Sequence, residues 1–186
     1  MKLVVLDRDG VINQDRDDYV RSVQQWVPLP GSIEAMARLS RAGWGIYVAT
    51  NQSGLGRGYF SEHVLRAMHE RMRHLLAGHG AHVEGIVWCP HTPSQSCSCR
   101  KPLAGMLDTI QAMAGLKSLD GVPLIGDSIR DLEAASLRGM TPFLVRTGKG
   151  RISEQEIVGN PQHPFHHVPI YDDLATWVDA WLLNRD

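Results

Sequence analysis

Short apolar runs alternate along the chain with longer segments in which apolar residues recur every three or four positions. A short apolar run bounded by polar residues predicts a buried strand, and the wider spacing predicts an amphipathic helix. Strands are predicted at residues 3–6, 46–49, 85–88, 122–125 and 142–145. Helices are predicted at residues 32–43, 61–75, 106–116, 131–138 and 174–183. The stretch from 148 to 168 shows neither pattern and is predicted to be an irregular surface loop.

Strands that alternate with helices are typical of βαβ units, whose right-handed crossovers build a parallel sheet. We therefore expect an α/β fold, with a doubly wound, Rossmann-like parallel sheet that carries helices on both faces. A chain of 186 residues has the usual length of one domain with a substantial core. Residues 1–186 are accordingly expected to form a single domain.

Composition and charge narrow the possible partners. The chain is 43% hydrophobic and 21% charged, as in ordinary globular proteins, and its formal net charge of −1 offers no attraction for nucleic acid. No apolar stretch approaches the roughly 20 residues that span a bilayer, and the chain starts without the pattern of a signal peptide. We expect a cytoplasmic monomer with no nucleic-acid partner and no membrane partner.

Polar side chains follow several of the predicted strands where each strand ends. The carboxyl ends of parallel strands meet at one edge of a sheet, where ligands bind in open α/β folds. A turn, a helix cap or a surface lysine would explain each polar segment alone, but their joint placement predicts a site for a divalent cation and a phosphate. The side chains concerned are Asp7, Asp9, Thr50, Asn51, Gln52, Ser53, Arg100, Lys101, Asp127 and Asp131.

A second cluster lies between the third and fourth strands. This cluster consists of Cys89, His91, Cys97 and Cys99, and it includes all three cysteines of the chain. Three thiolates with one imidazole are a standard set of ligands for tetrahedral zinc. Such a closed site would be structural, and a zinc ion would staple the loop that leads directly into Lys101. Free thiols beside a chance histidine remain the alternative interpretation.

The order of these motifs resembles the haloacid dehalogenase (HAD) superfamily of phosphohydrolases. The matching pieces are Asp-x-Asp, a strand-end Thr, Lys-Pro and Gly-Asp-x-x-x-Asp, and they extend from residue 7 to residue 131. The gaps between motifs hold one helical unit each, so the resemblance is to members without a cap domain.

The resemblance implies a role for each motif residue. Asp7 would attack phosphorus to form an aspartyl-phosphate, and Asp9 would act as general acid and then as general base. Mg²⁺ would be held by Asp7, the backbone carbonyl of Asp9, and Asp127. Thr50 and Lys101 would bind the phosphoryl oxygens. Asp131 would orient Lys101 or a water molecule on the metal.

Further segments are similar to the family of D-glycero-D-manno-heptose-1,7-bisphosphate 7-phosphatases. They are the cysteine loop with Arg-Lys-Pro, the Thr-Asn-Gln-Ser-Gly-x-x-Arg-Gly segment at 50–58, and residues 145–150. The resemblance implies removal of the 7-phosphate of a phosphorylated sugar during synthesis of activated heptose for lipopolysaccharide or surface glycans. It implies substrate contacts at Asp15, Thr50, Asn51, Gln52, Ser53, Arg100 and Lys101, with Arg100 as a clamp for the distal 1-phosphate.

Two loops depart from that family, and they keep alternatives open. Residues 15–19 lack the family's glycine and are one residue longer, and the span between His91 and Cys97 is short. A histidinol-phosphate phosphatase of the same fold is the nearest alternative, and a non-catalytic, metal-stabilised binding module is a distant one. The motifs do not distinguish the α from the β anomer at C1. His163, His166 and His167 are expected to lie in a solvated loop.

Overall fold

The computed structural model describes residues 2–183. Within this range the strands are β1 (Lys2–Leu6), β2 (Trp44–Asn51), β3 (Gly85–Cys89), β4 (Pro123–Gly126), β5 (Thr141–Val145) and β6 (Ile170–Tyr171). The helices are α1 (Ser32–Arg41), α2 (Ser53–Gly56), α3 (Glu62–Gly78), α4 (Gly105–Met113), α5 (Ile129–Ser136), α6 (Gly150–Val158) and α7 (Leu174–Leu183).

The strands form one parallel sheet in the order β3-β2-β1-β4-β5-β6. The order reverses between β1 and β4, so a crevice opens beyond the carboxyl ends of these two strands. Leu6 pairs with Val48 of β2 and with Ile125 of β4, which makes the residues after these strands neighbours. The predicted doubly wound α/β fold is confirmed.

Helices cover both faces of the sheet. Val4 and Leu6 of β1 pack with α1, α3 and α7, whereas Leu3 and Val5 pack with α4 and α5 on the opposite face. Burial on both faces explains why β1 is apolar throughout rather than alternating. Within residues 2–183, only α1 lies between β1 and β2, and only α2 and α3 lie between β2 and β3, so no cap domain is inserted there.

Two elements differ from the sequence prediction. The strand β6 has two residues and lies at the sheet edge, which is too short to produce a pattern. The helix α6 occupies part of the stretch predicted to be an irregular loop, so that prediction is wrong there. Its Ile157 is buried against α5 and β5, but Ile152 and Val158 are exposed, and this weak periodicity hides the helix.

The longest helix, α3, begins as predicted. The Ser61 hydroxyl accepts a hydrogen bond from the Val64 backbone N–H at 3.4 Å and caps the first turn. No helix in the described part of the chain combines the length and the apolar character needed to cross a bilayer.

Candidate active site

The polar residues at the strand ends surround one cavity of about 280 Å³. It lies beyond β1, β2 and β4, where the strand order reverses. The residues singled out from the sequence that line this cavity are Asp7, Asp9, Asp15, Thr50, Asn51, Gln52, Ser53, Arg100, Lys101 and Asp127.

Asp7 lies at the bottom of the cavity, directly after β1. Its Oδ1 accepts a hydrogen bond from the Arg8 backbone N–H at 2.7 Å and lies 3.0 Å from the Lys101 Nζ. Burial raises the pKa of Asp7 to about 7, although Lys101 opposes the shift. The carboxylates of Asp131 and Asp9 raise it further. This acid is therefore crowded by like charge.

Asp7, Asp127 and Asp131 form a cluster of carboxylates whose ligand atoms all lie within 4.8 Å of one another. The pKa of Asp127 is raised well above its usual value by burial first and by Asp7 second. A divalent cation would offset this repulsion, and carboxylate oxygens are ligands that Mg²⁺ prefers. The cluster therefore fits a magnesium ion.

Two glycines enclose Asp127. A Cβ atom on Gly10 would lie 2.1 Å from the Asp127 Oδ2, and one on Gly148 would lie 2.2 Å from it. Both glycines also have positive φ angles, of 84° and 57°. The backbone N–H of Lys149 donates a hydrogen bond to the same oxygen at 2.8 Å. Only glycine leaves room here for the carboxylate.

Lys101 is buried, with 2% of its surface exposed. Its ammonium group donates hydrogen bonds to Asp131 Oδ1 at 2.5 Å and to the Ala49 carbonyl at 2.8 Å. Burial alone would lower the pKa of Lys101, but Asp131 and Asp7 raise it above its usual range. The lysine therefore stays charged, and Asp131 holds its end in place.

Asn51 positions the backbone of Lys101. Its Nδ2 donates to the Lys101 carbonyl and its Oδ1 accepts from the Lys101 N–H, both at 3.0 Å. The family resemblance implies that Asn51 contacts substrate. It lines the cavity, but its amide group is engaged with the neighbouring loop.

Asp9 has a different environment from Asp7. Its carboxylate accepts two hydrogen bonds from the Arg8 Nη2 at 2.9 and 3.0 Å, one from Asn13 Nδ2 at 2.9 Å and one from Gln52 Nε2 at 2.7 Å. Burial opposes ionisation, but Arg8 and then Asn13 lower the pKa of Asp9. The side chain of Asp9 is not part of the carboxylate cluster of Asp7, Asp127 and Asp131.

Sequence reasoning missed the group behind Asp9. Arg8 is fully buried, and its Nη1 lies 3.2 Å from the His69 Nε2. Burial and then Arg8 lower the pKa of His69 to about 3, so this imidazole is neutral and accepts the hydrogen bond. His69 belongs to the buried side of α3 and is only 2% exposed. No spacing in the sequence connects Arg8 with His69.

The predicted zinc residues also come together. The ligand atoms of Cys89, His91, Cys97 and Cys99 lie within 4.8 Å of one another. The Cys89 and Cys97 sulfurs are 3.8 Å apart. Two sulfurs bound at about 2.3 Å to a tetrahedral zinc ion would have roughly this separation. The three cysteines form no disulfide, and the cluster is consistent with a structural zinc site.

The rim of the cavity carries further charged side chains near Asp15, for which the family resemblance implies a contact with substrate. Asp15 lies 3.4 Å from Lys149, and Arg16 pairs with Asp18 in the loop that departs from the family pattern. Tyr19 in the same loop has a positive φ of 69°. The unassigned residues of the lining include Arg16, Tyr19, Arg57, Arg130 and Lys149. Arg57 and Lys149 fall within the family-like segments, and that position was their only signal.

Comparisons with known proteins agree with this geometry. Residues 98–176 match the family described as HAD-hydrolase-like. The chain is 51% identical over 180 residues to the D-glycero-beta-D-manno-heptose-1,7-bisphosphate 7-phosphatase of Pseudomonas aeruginosa, with 97% of each chain covered. It is 50% identical over 175 residues to the protein of the same name from Neisseria meningitidis serogroup B, covering 94% of this chain and 91% of the relative.

Comparison with a solved structure indicates the same family. The D,D-heptose 1,7-bisphosphate phosphatase from B. bronchiseptica, complexed with magnesium and phosphate, superimposes with a TM-score of 0.91. Its sequence is 46% identical, and 99% of each chain is covered. This chain therefore belongs to the family of D-glycero-beta-D-manno-heptose-1,7-bisphosphate 7-phosphatases, which are phosphatases with a HAD-type fold.

Proposed function

We propose that this protein removes the 7-phosphate of D-glycero-β-D-manno-heptose 1,7-bisphosphate during synthesis of activated heptose for lipopolysaccharide or surface glycans. The observation that carries the proposal is the convergence of two acids, a buried lysine and a carboxylate cluster on one cavity. The relatives named above carry this substrate, with the β anomer, in their names. Each residue of the predicted site has a role in this hydrolysis.

Asp7 is the nucleophile. Its Oδ1 accepts hydrogen bonds from Lys101 and from the Arg8 N–H, which leaves Oδ2 for attack on phosphorus. The P–O bond to the sugar breaks as the aspartyl-phosphate forms, so one difficult displacement becomes two easier ones. Lys101 and Thr50 hold the phosphoryl oxygens, whose charge is dispersed in the transition state.

Asp9 moves the protons. In its protonated form it donates to the leaving oxygen of the sugar, and as a carboxylate it takes a proton from the water that hydrolyses the aspartyl-phosphate. Arg8 favours the carboxylate form, whereas an approaching phosphate dianion favours the protonated form. Hydrogen bonds from Gln52 and Asn13 hold the Asp9 carboxylate in position.

The metal residues support the same step. Asp7, Asp127 and the backbone carbonyl of Asp9 would hold Mg²⁺, with Asp131 next to them on Lys101. The bound ion supplies positive charge that lets an anionic nucleophile approach an anionic phosphate. The zinc loop would be structural, because four protein ligands leave no open position.

The test is phosphate release with Mg²⁺ from a panel of substrates. The panel contains both anomers of the heptose 1,7-bisphosphate, fructose 1,6-bisphosphate and histidinol phosphate. We expect the highest kcat/KM for the β anomer of the heptose compound, with the 1-phosphate retained in the product. A higher kcat/KM for histidinol phosphate would overturn the proposed substrate while leaving the phosphatase chemistry intact.

We also propose that residues 1–186 act as one domain, as a monomer in the cytoplasm. The continuous sheet supports one domain, and the three free cysteines suit a reducing compartment. Sedimentation equilibrium of the zinc-loaded protein should give the mass of one chain, and a dimer mass would contradict the monomer.

A further inference from the structure

His69 is a buried ionisable residue that lies behind the active-site cavity rather than in its lining. It belongs to α3, and its neighbours on the buried side of that helix are apolar, among them Met68 and Met72. The Nε2 of His69 lies 3.2 Å from the Nη1 of Arg8. Among such neighbours a polar side chain is unfavourable unless it is hydrogen-bonded, so the contact with Arg8 accounts for a histidine at this position.

Arg8 divides its donors between Asp9 and His69. Its Nε and Nη2 donate to the Asp9 carboxylate at 2.9 to 3.2 Å, and its Nη1 faces His69. Arg8 and Asp9 are adjacent in the chain, so their ion pair alone could shift as a unit relative to the substrate. Contacts with other elements remove this freedom. Gln52 donates to the Asp9 Oδ2 at 2.7 Å, and His69 holds the opposite side of Arg8.

The imidazole of His69 suits this position because it is neutral. Burial and then Arg8 lower the pKa of His69 to about 3, so its Nε2 accepts a hydrogen bond from Arg8. A neutral acceptor orients the guanidinium group without competing with the Asp9 carboxylate for its charge. The ring of His69 lies against Trp88 of β3, with ring centroids 5.4 Å apart, and this contact limits its rotation.

We infer that His69 is a positioning residue for catalysis, which acts through Arg8 to hold the Asp9 carboxyl group within hydrogen-bond reach of the leaving oxygen of the substrate. This inference rests on the acid–base role of Asp9 in the proposed function. As the P–O bond breaks, the leaving oxygen takes the proton of Asp9, and efficient transfer requires hydrogen-bond distance. Loss of the acceptor on His69 would leave one buried N–H group of Arg8 unpaired, and the Arg8–Asp9 pair would move to regain a partner.

The experiment measures kcat/KM for three phosphate esters whose leaving groups need a proton to different degrees. The esters are β-heptose 1,7-bisphosphate, phenyl phosphate and p-nitrophenyl phosphate, each given to the full-length, zinc-loaded protein with Mg²⁺. The sugar alkoxide is the poorest leaving group and p-nitrophenolate is the best, so the need for a general acid decreases in this order. The ratio kcat/KM reports formation of the aspartyl-phosphate, which is the step in which Asp9 acts as the acid.

Two variants of His69 differ in whether their side chains reach Arg8. His69→Gln places an amide oxygen near the position of Nε2, whereas the side chain of His69→Asn is too short. His69→Asn should lower kcat/KM for the heptose compound by about 10- to 100-fold, which is part of the rate that a well-placed general acid supplies. The loss should be smaller for phenyl phosphate and less than about threefold for p-nitrophenyl phosphate. His69→Gln should stay within about threefold of the wild type for all three esters.

Two further variants complete the comparison. His74→Asn makes the same change at an exposed position of α3 and should leave all three esters unaffected. His69→Leu lacks the acceptor but fills the space of the ring, so it should show the same selective loss as His69→Asn. Either loss variant is sufficient for the test if calorimetry shows that the other does not fold.

The outcomes separate the role of His69 from the proposed function. Equal losses for the three esters, a loss in His69→Gln as large as in His69→Asn, or wild-type activity in His69→Asn would each overturn the positioning role. A wild-type protein that hydrolyses the aryl phosphates but not the heptose bisphosphate would overturn the proposed substrate. The comparison of phenyl phosphate with p-nitrophenyl phosphate would then still decide the role of His69.

Discussion

At the scale of single residues, the two acids after β1 behave differently because their neighbours differ. Asp7 is half-buried beside Asp127 and Asp131, and its pKa is raised to about 7. Asp9 is also half-buried, but Arg8 and Asn13 lower its pKa. Environments that push the pKa values of two acids apart are typical of sites where the acids have separate roles.

Replacing Asp7 by Asn tests the nucleophile. The amide keeps the shape but cannot form a phosphoenzyme, so phosphate release should fall by at least about 10³-fold. The substitution also removes a charge from a crowded carboxylate cluster, so the melting temperature without Mg²⁺ should be unchanged or higher. Activity near the wild-type level in a folded Asp7→Asn protein would contradict the covalent scheme.

Replacing Arg8 by Met tests the buried support of Asp9. Arg8 contacts both Asp9 and His69, and removing one partner of a buried ion pair costs about 3 kcal/mol in the free energy of unfolding. Urea denaturation measures this loss, and kcat should fall as well because Asp9 loses the three hydrogen bonds that Arg8 donates to it. Arg71→Met, on the exposed side of α3, is the control and should change stability by less than about 0.5 kcal/mol. A similar small effect for Arg8→Met would show that the buried pair does not stabilise the site.

At the scale of elements, the loop after β3 is held at two places before it reaches the cavity. The cluster of Cys89, His91, Cys97 and Cys99 gathers its first part. The side chain of Asn51, at the end of β2, holds the Lys101 backbone through two hydrogen bonds. A cation that must stay within about 3 Å of two acids needs a rigid loop, and these contacts supply it.

Replacing Cys99 by Ser tests whether a zinc ion holds the loop after β3 in place. Loss of one thiolate should release zinc, and the displaced Arg100 and Lys101 should lower kcat/KM by about 10- to 100-fold. Elemental analysis and phosphate release measure the two effects on the same sample. Ser98→Ala changes the exposed neighbour between two cysteines and should keep both zinc and activity. Full activity in a zinc-free Cys99→Ser protein would show that the metal does not position the loop.

At the scale of the whole molecule, the parallel sheet concentrates negative charge at one edge. Asp7, Asp127 and Asp131 form one carboxylate cluster, and Lys101 pairs with Asp7 and Asp131, so the folded chain without a divalent cation contains unfavourable repulsion. The folded state of Asp7 has a pKa of about 7, above the value of 3.8 expected for an unfolded chain. The stabilising effect of its proton is therefore complete below about 3.8 and disappears as the pH rises through about 7.

This linkage predicts how Mg²⁺ changes stability. The cation binds the deprotonated carboxylates of the folded state, so 10 mM Mg²⁺ should raise the melting temperature more at pH 8 than at pH 5.5. At a concentration of about 100 times Kd the gain would be about 2.7 kcal/mol. Differential scanning calorimetry of wild type and Asp127→Asn checks this. The variant should lose most of the effect, and an equal gain in both proteins would place the ion elsewhere.

The sequence by itself determined the architecture and most of the cavity lining, because both depend on local patterns. Apolar runs mark buried strands. The strands β1 and β4 end directly before Asp7 and Asp127, and β2 ends at Asn51, within the polar segment 50–53. Once a parallel sheet is inferred, the carboxyl ends of its strands must meet at one edge. The sequence pattern does not predict α6, because only part of the apolar surface of this helix is buried. It does not predict β6 either, because this strand is too short.

Only the tertiary structure decided how the site is supported. Arg8 meets His69 across 61 residues, and Asn51 holds Lys101 across 50 residues. Neither contact can be recognised from the spacing of residues in the sequence. The partners belong to different elements, and packing of the sheet against its helices sets the distance between them. Arg100 and Arg130 line the same cavity for the same reason. Periodicity records which face of an element is buried, whereas the partners of a buried charge depend on which elements the fold brings together.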